Sequence, residues 1–488
     1  MTAKTEKILV FLVFTVCLSL RLAFISQKNL WFDEVFSWHL SLDSFYGIIV
    51  RTSNDIHPPL FYFTLKIWNF VFGDSVAAMR LLSALFTSSS VFFLYSLSKR
   101  YLDPSKAMLV ILLYSVSPLN LYYGQEVRMA AMNLFLNLGS VYFLLKLMDK
   151  PHDYHRIFKE KYAIPFVLFS VAAIYTHYFS FFILAAELLY IVYSYRKNPK
   201  QYIAYLYLLF FIGLVYLVWV PELISHFSRG QSWRSPQTIG LVMHEYVNYI
   251  RDLNLGLYYY YSNLTVVRYI TYFAALVILI AIIGLFLKKK SLNSNPILIM
   301  FVLFVTLFLA GVISLRQKIE FYRYLSILVP YISLFVVYGI AKWNNKYFTT
   351  AIVGLLIAVN IYGVTIHYKF GFKNDDYRSL ITKINSEFKP GERIYVEPHF
   401  NGWVINYYKK QEKLSIPDPV YVRYGWNEVL DSISVQDPER FWVVFDYSAV
   451  DTSRYQSYID GLRKMYKMNE RTTYFLAPTK VELYNFSK

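Results

Sequence analysis

The sequence predicts a polytopic α-helical membrane protein of about eleven transmembrane helices that carries an extracytoplasmic C-terminal α/β domain. Three observations predict it. Hydrophobic residues make up 56% of the 488 residues and charged residues only 17%, with a mean hydropathy of +0.35, more apolar surface than water alone can solvate. The apolar residues fall in long runs separated by short basic loops. After about residue 374 the runs stop and the composition turns soluble.

The runs lie near residues 8–25, 77–98, 106–118, 129–148, 163–178, 179–195, 202–220, 265–287, 296–315, 322–341 and 347–366. The first follows Lys4 and Lys7, and Phe24-Ile25-Ser26-Gln27 is a poor signal-peptidase site, so it reads as an uncleaved first transmembrane helix. With the N-terminus in the cytosol, the inside loops hold Lys99/Arg100/Lys106, Lys146 to Lys161, Arg196/Lys197/Lys200, Lys288/Lys289/Lys290 and Lys342/Lys346. Every one is basic, as the positive-inside rule requires. The net charge of +17 therefore describes topology better than nucleic-acid binding. Cys17, the single cysteine, sits inside the first run and excludes a disulfide framework or a cysteine metal site.

The outside then receives the first loop (residues 26–76), Asn120 to Arg128, Pro221 to Tyr261, Arg316 to Arg323 and everything after Tyr368. The expected division is a transmembrane domain over residues 1–370 and a soluble domain over 374–488. In the first loop, Leu60-Phe61-Tyr62-Phe63 and Ile67-Trp68-Asn69-Phe70 are aromatic and amphipathic, the pattern of segments lying along an interface. The tyrosines from Tyr246 to Tyr261 read as an interfacial belt or as a wall facing a sugar or lipid. In the soluble part, 376–388 and 455–466 carry helical periodicity, and 393–397, 441–445 and 479–486 read as strands.

Four clusters sit at or beside the outer ends of the apolar runs, where ionisable groups are functional candidates. They are Asp33-Glu34, Asp55-Ile56-His57-Pro58-Pro59, Gln125-Glu126-Val127-Arg128 and Glu320-Phe321-Tyr322-Arg323-Tyr324. Each has a bland reading: a solvated loop for Asp33-Glu34, a packed turn for His57, pairing of Glu126 and Arg128 with each other or with Asp55, and a snorkelling arginine for Arg323. Their convergence on one side favours a site. Arg323 between two tyrosines suits a phosphate oxygen pair.

Order and spacing carry a resemblance. Trp31-Phe32-Asp33-Glu34, then Asp55-x-His57-Pro58-Pro59-Leu60, then Arg80-Leu81-Leu82-Ser83, then Ser117-Pro118-x-x-x-Tyr122-Tyr123-Gly124-Gln125-Glu126-x-Arg128-Met129 resemble the protein O-mannosyltransferase-like membrane glycosyltransferases, which include the aminoarabinose transferases. The likeness is close over the first 150 residues and looser afterward, where Tyr322-Arg323-Tyr324-Leu325 precedes a helix starting near Pro330.

The resemblance implies a multi-pass cell-membrane glycosyltransferase. It would move a sugar from a polyprenyl-phosphate donor to a lipid, glycan or protein acceptor on the outer face. Asp33 would be the catalytic carboxylate, with Glu34 beside it. Asp55, His57, Gln125, Glu126, Arg128, Tyr322, Arg323 and Tyr324 would bind substrate. An anionic phosphate leaving group needs positive charge and no general acid, so one carboxylate base and one arginine suffice for the chemistry. A divalent cation is an open alternative, with no metal ligand assigned. The sequence lacks both a lumenal β-trefoil insert and the Asp-x-Asp pair of nucleotide-sugar enzymes. Two other readings stay open: a transporter or flippase, disfavoured because the charges collect at helix ends and the halves do not resemble each other, and a noncatalytic glycan-binding subunit.

Overall fold

The computed structural model describes residues 2–150, 154–229, 235–287, 296–319, 321–370, 376–398, 401–420, 430, 433, 435–436, 438–446, 452–476 and 479–488. Lys288, Lys289, Lys290 and Glu320 lie outside the described residues. The chain forms two compact units, one of residues 1–23, 43–72 and 79–369, the other of residues 24–42, 73–78 and 370–488. The stretch between the first two apolar runs is thus shared: its middle belongs with the helices, and its two flanks belong with the C-terminal region.

Each of the eleven apolar runs coincides with helix in the first unit. Among the described residues, seven helices are long and apolar enough to cross a bilayer: Val76–Ser98, Ala130–Leu147, Lys200–Ser228, Leu264–Leu285, Ile297–Arg316, Phe321–Ala341 and Lys346–Phe370. Pro104–Ser115 and Pro118–Gly124, bent by 60° to each other, have the form of a broken span or a re-entrant loop and count as an eighth only in the first case. Length and charge separate the rest from these. Ala163–Ile174 and Ser180–Tyr195 have 12 and 16 residues, short of the roughly 20 that a bilayer needs, and Ala3–Leu22 carries Glu6, Lys7 and Arg21 near its ends.

Small residues let two spans touch at the backbone. A Cβ on Gly284 would lie 2.0 Å from the Gly339 carbonyl oxygen, and one on Gly339 would lie 2.3 Å from that of Ala281. The middle of the first loop folds as Phe45–Ser53 and Leu60–Phe72, both too short to span. Phe70, 92% exposed, and Ile67, 56% exposed, fit the interfacial reading of that stretch.

The second unit is built on a four-stranded sheet, β1 (Arg393–Glu397), β2 (Arg440–Asp446), β3 (Lys467–Leu476) and β4 (Thr479–Ser487), in the order β1-β2-β4-β3. β1 pairs with β2 in parallel, Ile394 opposite Trp442 and Val396 opposite Val444, whereas β4 runs antiparallel to both neighbours. Such a central strand is buried on both faces, which is why Phe441-Trp442-Val443-Val444-Phe445 is wholly apolar. Helices Phe32–Ser41, Tyr377–Glu387, Gly402–Gln411 and Thr452–Met465 belong to the same unit.

Candidate active site

Asp33 and Glu34 stand in the first turn of helix Phe32–Ser41, within the second unit. Glu34 is fully buried, and its Oε2 accepts the Trp31 backbone N–H at 3.3 Å, so this carboxylate caps the helix that carries it. Asp33, half-buried, anchors the same turn through its carbonyl, which accepts from Ser37 Oγ at 2.9 Å.

Helix Gly402–Gln411 of the C-terminal region holds this segment in place. Trp403 stacks on His39 with ring centroids 4.5 Å apart and on Phe32 at 6.2 Å. Tyr407 meets Trp38 edge-on at 5.0 Å, and the buried Tyr408 hydroxyl accepts the Leu30 N–H at 2.6 Å. Asp74, from the far flank of the first loop, receives Trp38 Nε1 at 2.8 Å and Lys410 Nζ at 2.6 Å. Burial alone would raise the Asp74 pKa. The bonds from Lys410 and Trp38 outweigh it and hold the carboxyl below its usual range. The aspartate predicted to do chemistry therefore rides on a helix clamped by aromatic rings and one ion pair.

The remaining candidates belong to the first unit. The Arg80-Leu81-Leu82-Ser83 motif supports the 125–128 turn, because Ser83 Oγ donates to the Glu126 carbonyl at 2.6 Å. The charges of Glu126 and Arg323 both bear on Tyr122, so the structure brings together two clusters that lie 197 positions apart. Arg128 bears in the same way on His177. Asp55 is half-buried in the turn that follows helix Phe45–Ser53. Tyr322, Arg323 and Tyr324 form the short helix Phe321–Tyr324, and the helix that follows, Val329–Ala341, has Pro330 in its first turn as the sequence suggests.

Gln125 is placed for scaffolding. Its Nε2 donates to the Arg21 and Ala23 carbonyls at 2.8 and 2.9 Å, and its Oε1 is 2.9 Å from His367 Nε2. Arg21 itself is fully buried and donates through Nη1 to the Cys17 and Ser115 carbonyls at 2.8 and 3.1 Å. Gly124 is required beside it, since a Cβ there would sit 2.8 Å from Arg21 Nε.

His57 and Tyr324 meet at a cavity of about 370 Å³. His177 lies between them, its ring 5.5 Å from each. Phe179, Phe181, Phe182, Phe227 and Ile319 make most of the rest of the wall apolar. His226 joins from helix Val220–Arg229, fixed by Tyr178 Oη at 2.6 Å and by the Ser53 carbonyl at 3.0 Å. Residue-by-residue reading of the sequence misses His177 and His226. The available signal was Tyr175-Thr176-His177-Tyr178, a polar interruption between two apolar runs. Among the described residues, no three His, Cys, Asp or Glu side chains gather as a metal site.

The family of dolichyl-phosphate-mannose-protein mannosyltransferases matches residues 56–219, the stretch holding His57, Gln125, Glu126 and Arg128. No curated protein matches the chain. Among solved structures, ArnT from Cupriavidus metallidurans in the apo state superposes with a TM-score of 0.61 at 11% identity, over 99% of this chain and 98% of that one. The same protein bound to undecaprenyl phosphate gives 0.58 at 13%, over 98% and 97%. AglB from Archaeoglobus fulgidus, an oligosaccharyltransferase in complex with an inhibitory peptide and a dolichol-phosphate, gives 0.52 at 12%, over 97% and 74%. Family match and fold agree. The chain is a membrane glycosyltransferase. In this glycosyltransferase the family match begins one residue before His57, so Asp33 precedes it and Tyr322 to Tyr324 follow it.

Proposed function

We propose that the enzyme transfers a sugar from a polyprenyl phosphate to an acceptor on the outer face of the membrane, with Asp33 as the base and Arg323 as the phosphate partner. The observation that carries this reading is the cavity of about 370 Å³, apolar in its walls and lined by His57, His177 and Tyr324. A polyprenyl phosphate needs that combination, an aromatic and aliphatic channel for isoprene units ending in donors for an anion. The charge of Arg128 bears on His177 of the cavity wall, and Arg323 belongs to the same short helix as Tyr324 of that wall. Solved relatives in this fold hold undecaprenyl phosphate and dolichol-phosphate, which supports a carrier of this class.

In the reaction the acceptor nucleophile attacks the anomeric carbon as the bond to the phosphate oxygen breaks. Asp33 takes the nucleophile's proton, the nucleophile keeps the new bond to the sugar, and the polyprenyl phosphate leaves with the electron pair. Charge builds on the departing phosphate. Arg323, with Arg128, stabilises it in a setting where little water competes. The outer face is assigned from the basic loops of the other side.

The test is donor binding and turnover by Arg323→Ala and Phe179→Asp in nanodiscs, using a polyprenyl-phosphate sugar. Arg323→Ala is expected to weaken donor binding and slow transfer together. Phe179→Asp, which places a carboxylate in the apolar wall, is expected to weaken binding of the long-chain donor far more than of a short-chain analogue. Equal losses for the two chain lengths would remove the cavity from the carrier site.

A further inference from the structure

A second cleft, of about 710 Å³, lies between the first turns of helix Ala3–Leu22 and the last turns of Val76–Ser98 and Ala130–Leu147. It is remote from the residues of the reaction. Lys7 on its rim and Arg21 are 14 residues apart on one helix, about 20 Å at 1.5 Å per residue.

Four cations border the cleft: Lys7, Lys99, Arg100 and Lys146. Two carboxylates answer them. Glu6 pairs with Lys99, and Asp149 pairs with Arg100 at 2.5 Å while lying 3.9 Å from Lys146. Two positive charges remain in excess. The negative ends of Val76–Ser98 and Ala130–Leu147 account for cations on those helices, but not for Lys7. It stands in the second turn of its own helix, near the positive end of the dipole, and has no ion pair among the described residues. The exposed Lys7 ammonium is therefore open to an anion from elsewhere.

The cleft also offers a donor and a hydrocarbon wall. Tyr95 is 6% exposed, and its hydroxyl, beside the Glu6 carboxylate, lacks a well-formed hydrogen bond. Lys99 Nζ lies 5.7 Å from the Tyr95 ring centroid and Lys146 Nζ 5.9 Å from that of Tyr142, so aromatic faces hold both ammonium groups at the rim. Below them Phe11, 59% exposed, and Phe92, 41% exposed, flank the opening with apolar ring surface.

We propose that this cleft binds an anionic phospholipid, with the headgroup phosphate among Lys7, Lys99 and Lys146 and the acyl chains against Phe11 and Phe92. Charge complementarity selects the anion, and the apolar wall selects a lipid over a free phosphate. The site is independent of the catalytic reading.

The test uses the full chain, purified and delipidated, in native mass spectrometry and thermal unfolding with phosphatidylglycerol, phosphatidylcholine or inorganic phosphate added. One phosphatidylglycerol per chain is expected to bind in preference to phosphatidylcholine and to raise the unfolding midpoint. Lys7→Gln with Lys146→Gln should weaken that binding about 30-fold, from the usual worth of two lysines beside an anionic headgroup. Its unfolding in phosphatidylcholine alone serves as the folding control. Equal binding of the two lipids by the unmutated protein overturns the proposal even if the double variant does not fold. Undiminished phosphatidylglycerol binding by a folded double variant overturns it too. Stabilisation by inorganic phosphate to the same degree would make the cleft a simple anion site and overturn the lipid assignment.

Discussion

Replacing Asp74 by alanine should loosen the helix that presents Asp33 without touching the reacting groups. Asp74 accepts from Trp38 Nε1 and Lys410 Nζ, with Gln411 Nε2 at 3.3 Å, and its side chain is only 22% exposed. Lys410 is 55% exposed, so its ion pair contributes at most about 1 kcal/mol. Trp38 is 4% exposed, and losing the partner of a buried N–H costs about 1–3 kcal/mol. The docking of Phe32–Ser41 should therefore weaken by roughly 2–3 kcal/mol, or about 30- to 150-fold in local opening.

Hydrogen exchange of the backbone amides of Val35 to Leu40 reads this directly, alongside KM and kcat for transfer. Protection should fall by that factor, and kcat should fall while donor affinity holds. Asp74→Asn, which keeps an acceptor for Trp38, should lose much less. The pH dependence has a definite sign. The folded pKa of Asp74 is depressed, so the stabilisation is fully present above the unfolded value near 4 and is lost as pH falls through the folded value. Unchanged protection in Asp74→Ala at neutral pH would refute the clamp.

Three further outcomes are expected. Gln125→Ala should lower the unfolding midpoint, from a loss of about 1–3 kcal/mol, and leave donor KM unchanged, because its amide is engaged by Arg21, Ala23 and His367; a KM effect with unchanged stability would return Gln125 to the substrate site. Gly339→Ala should destabilise the bundle by about 1–3 kcal/mol or more in detergent unfolding, since its Cβ would meet the Ala281 carbonyl; an unchanged midpoint would contradict that close approach. Asp252, on helix Ile239–Leu255, is raised to about 7 by burial, against the opposing pull of Arg251. The folded state then keeps a proton that the unfolded state loses from about pH 4, so stability should fall between about pH 4 and 7 and level off above; Asp252→Asn should abolish that slope in unfolding midpoints.

The parts of this fold that were legible in the sequence are those whose signal is local. Apolar runs announce membrane helices because lipid asks only for apolarity over length, and all eleven coincide with helix. β2 reads directly from Phe441 to Phe445 because a strand buried on both faces must be apolar throughout. β3 does not read, because Lys467-Met468-Asn469-Glu470-Arg471 is polar and a bulge between Met468 and Glu470 breaks its alternation.

Helix Gly402–Gln411 escaped for a different reason. Its aromatic residues Trp403, Tyr407 and Tyr408 look like surface tyrosines and tryptophan until the segment from Leu30 to Trp38, some 370 positions earlier, is seen against them. Gln125 shows the same limit. Its residue type and place in the motif suggest a substrate contact, and nothing local reveals that two backbone carbonyls and a histidine surround its amide. At His177, proximity to His57, Arg128 and Tyr324 is created by packing among four separate segments.

The central claim, that Asp33 is the base in sugar transfer, is tested most directly by Asp33→Asn in nanodiscs, with donor binding and transfer measured on the same preparation. The substitution keeps size and most hydrogen bonding while removing the carboxylate that takes the proton. Donor affinity and hydrogen-exchange protection over Phe32–Ser41 should be unchanged, with turnover reduced by about 10²- to 10⁴-fold. Near-normal turnover by the folded variant would contradict it.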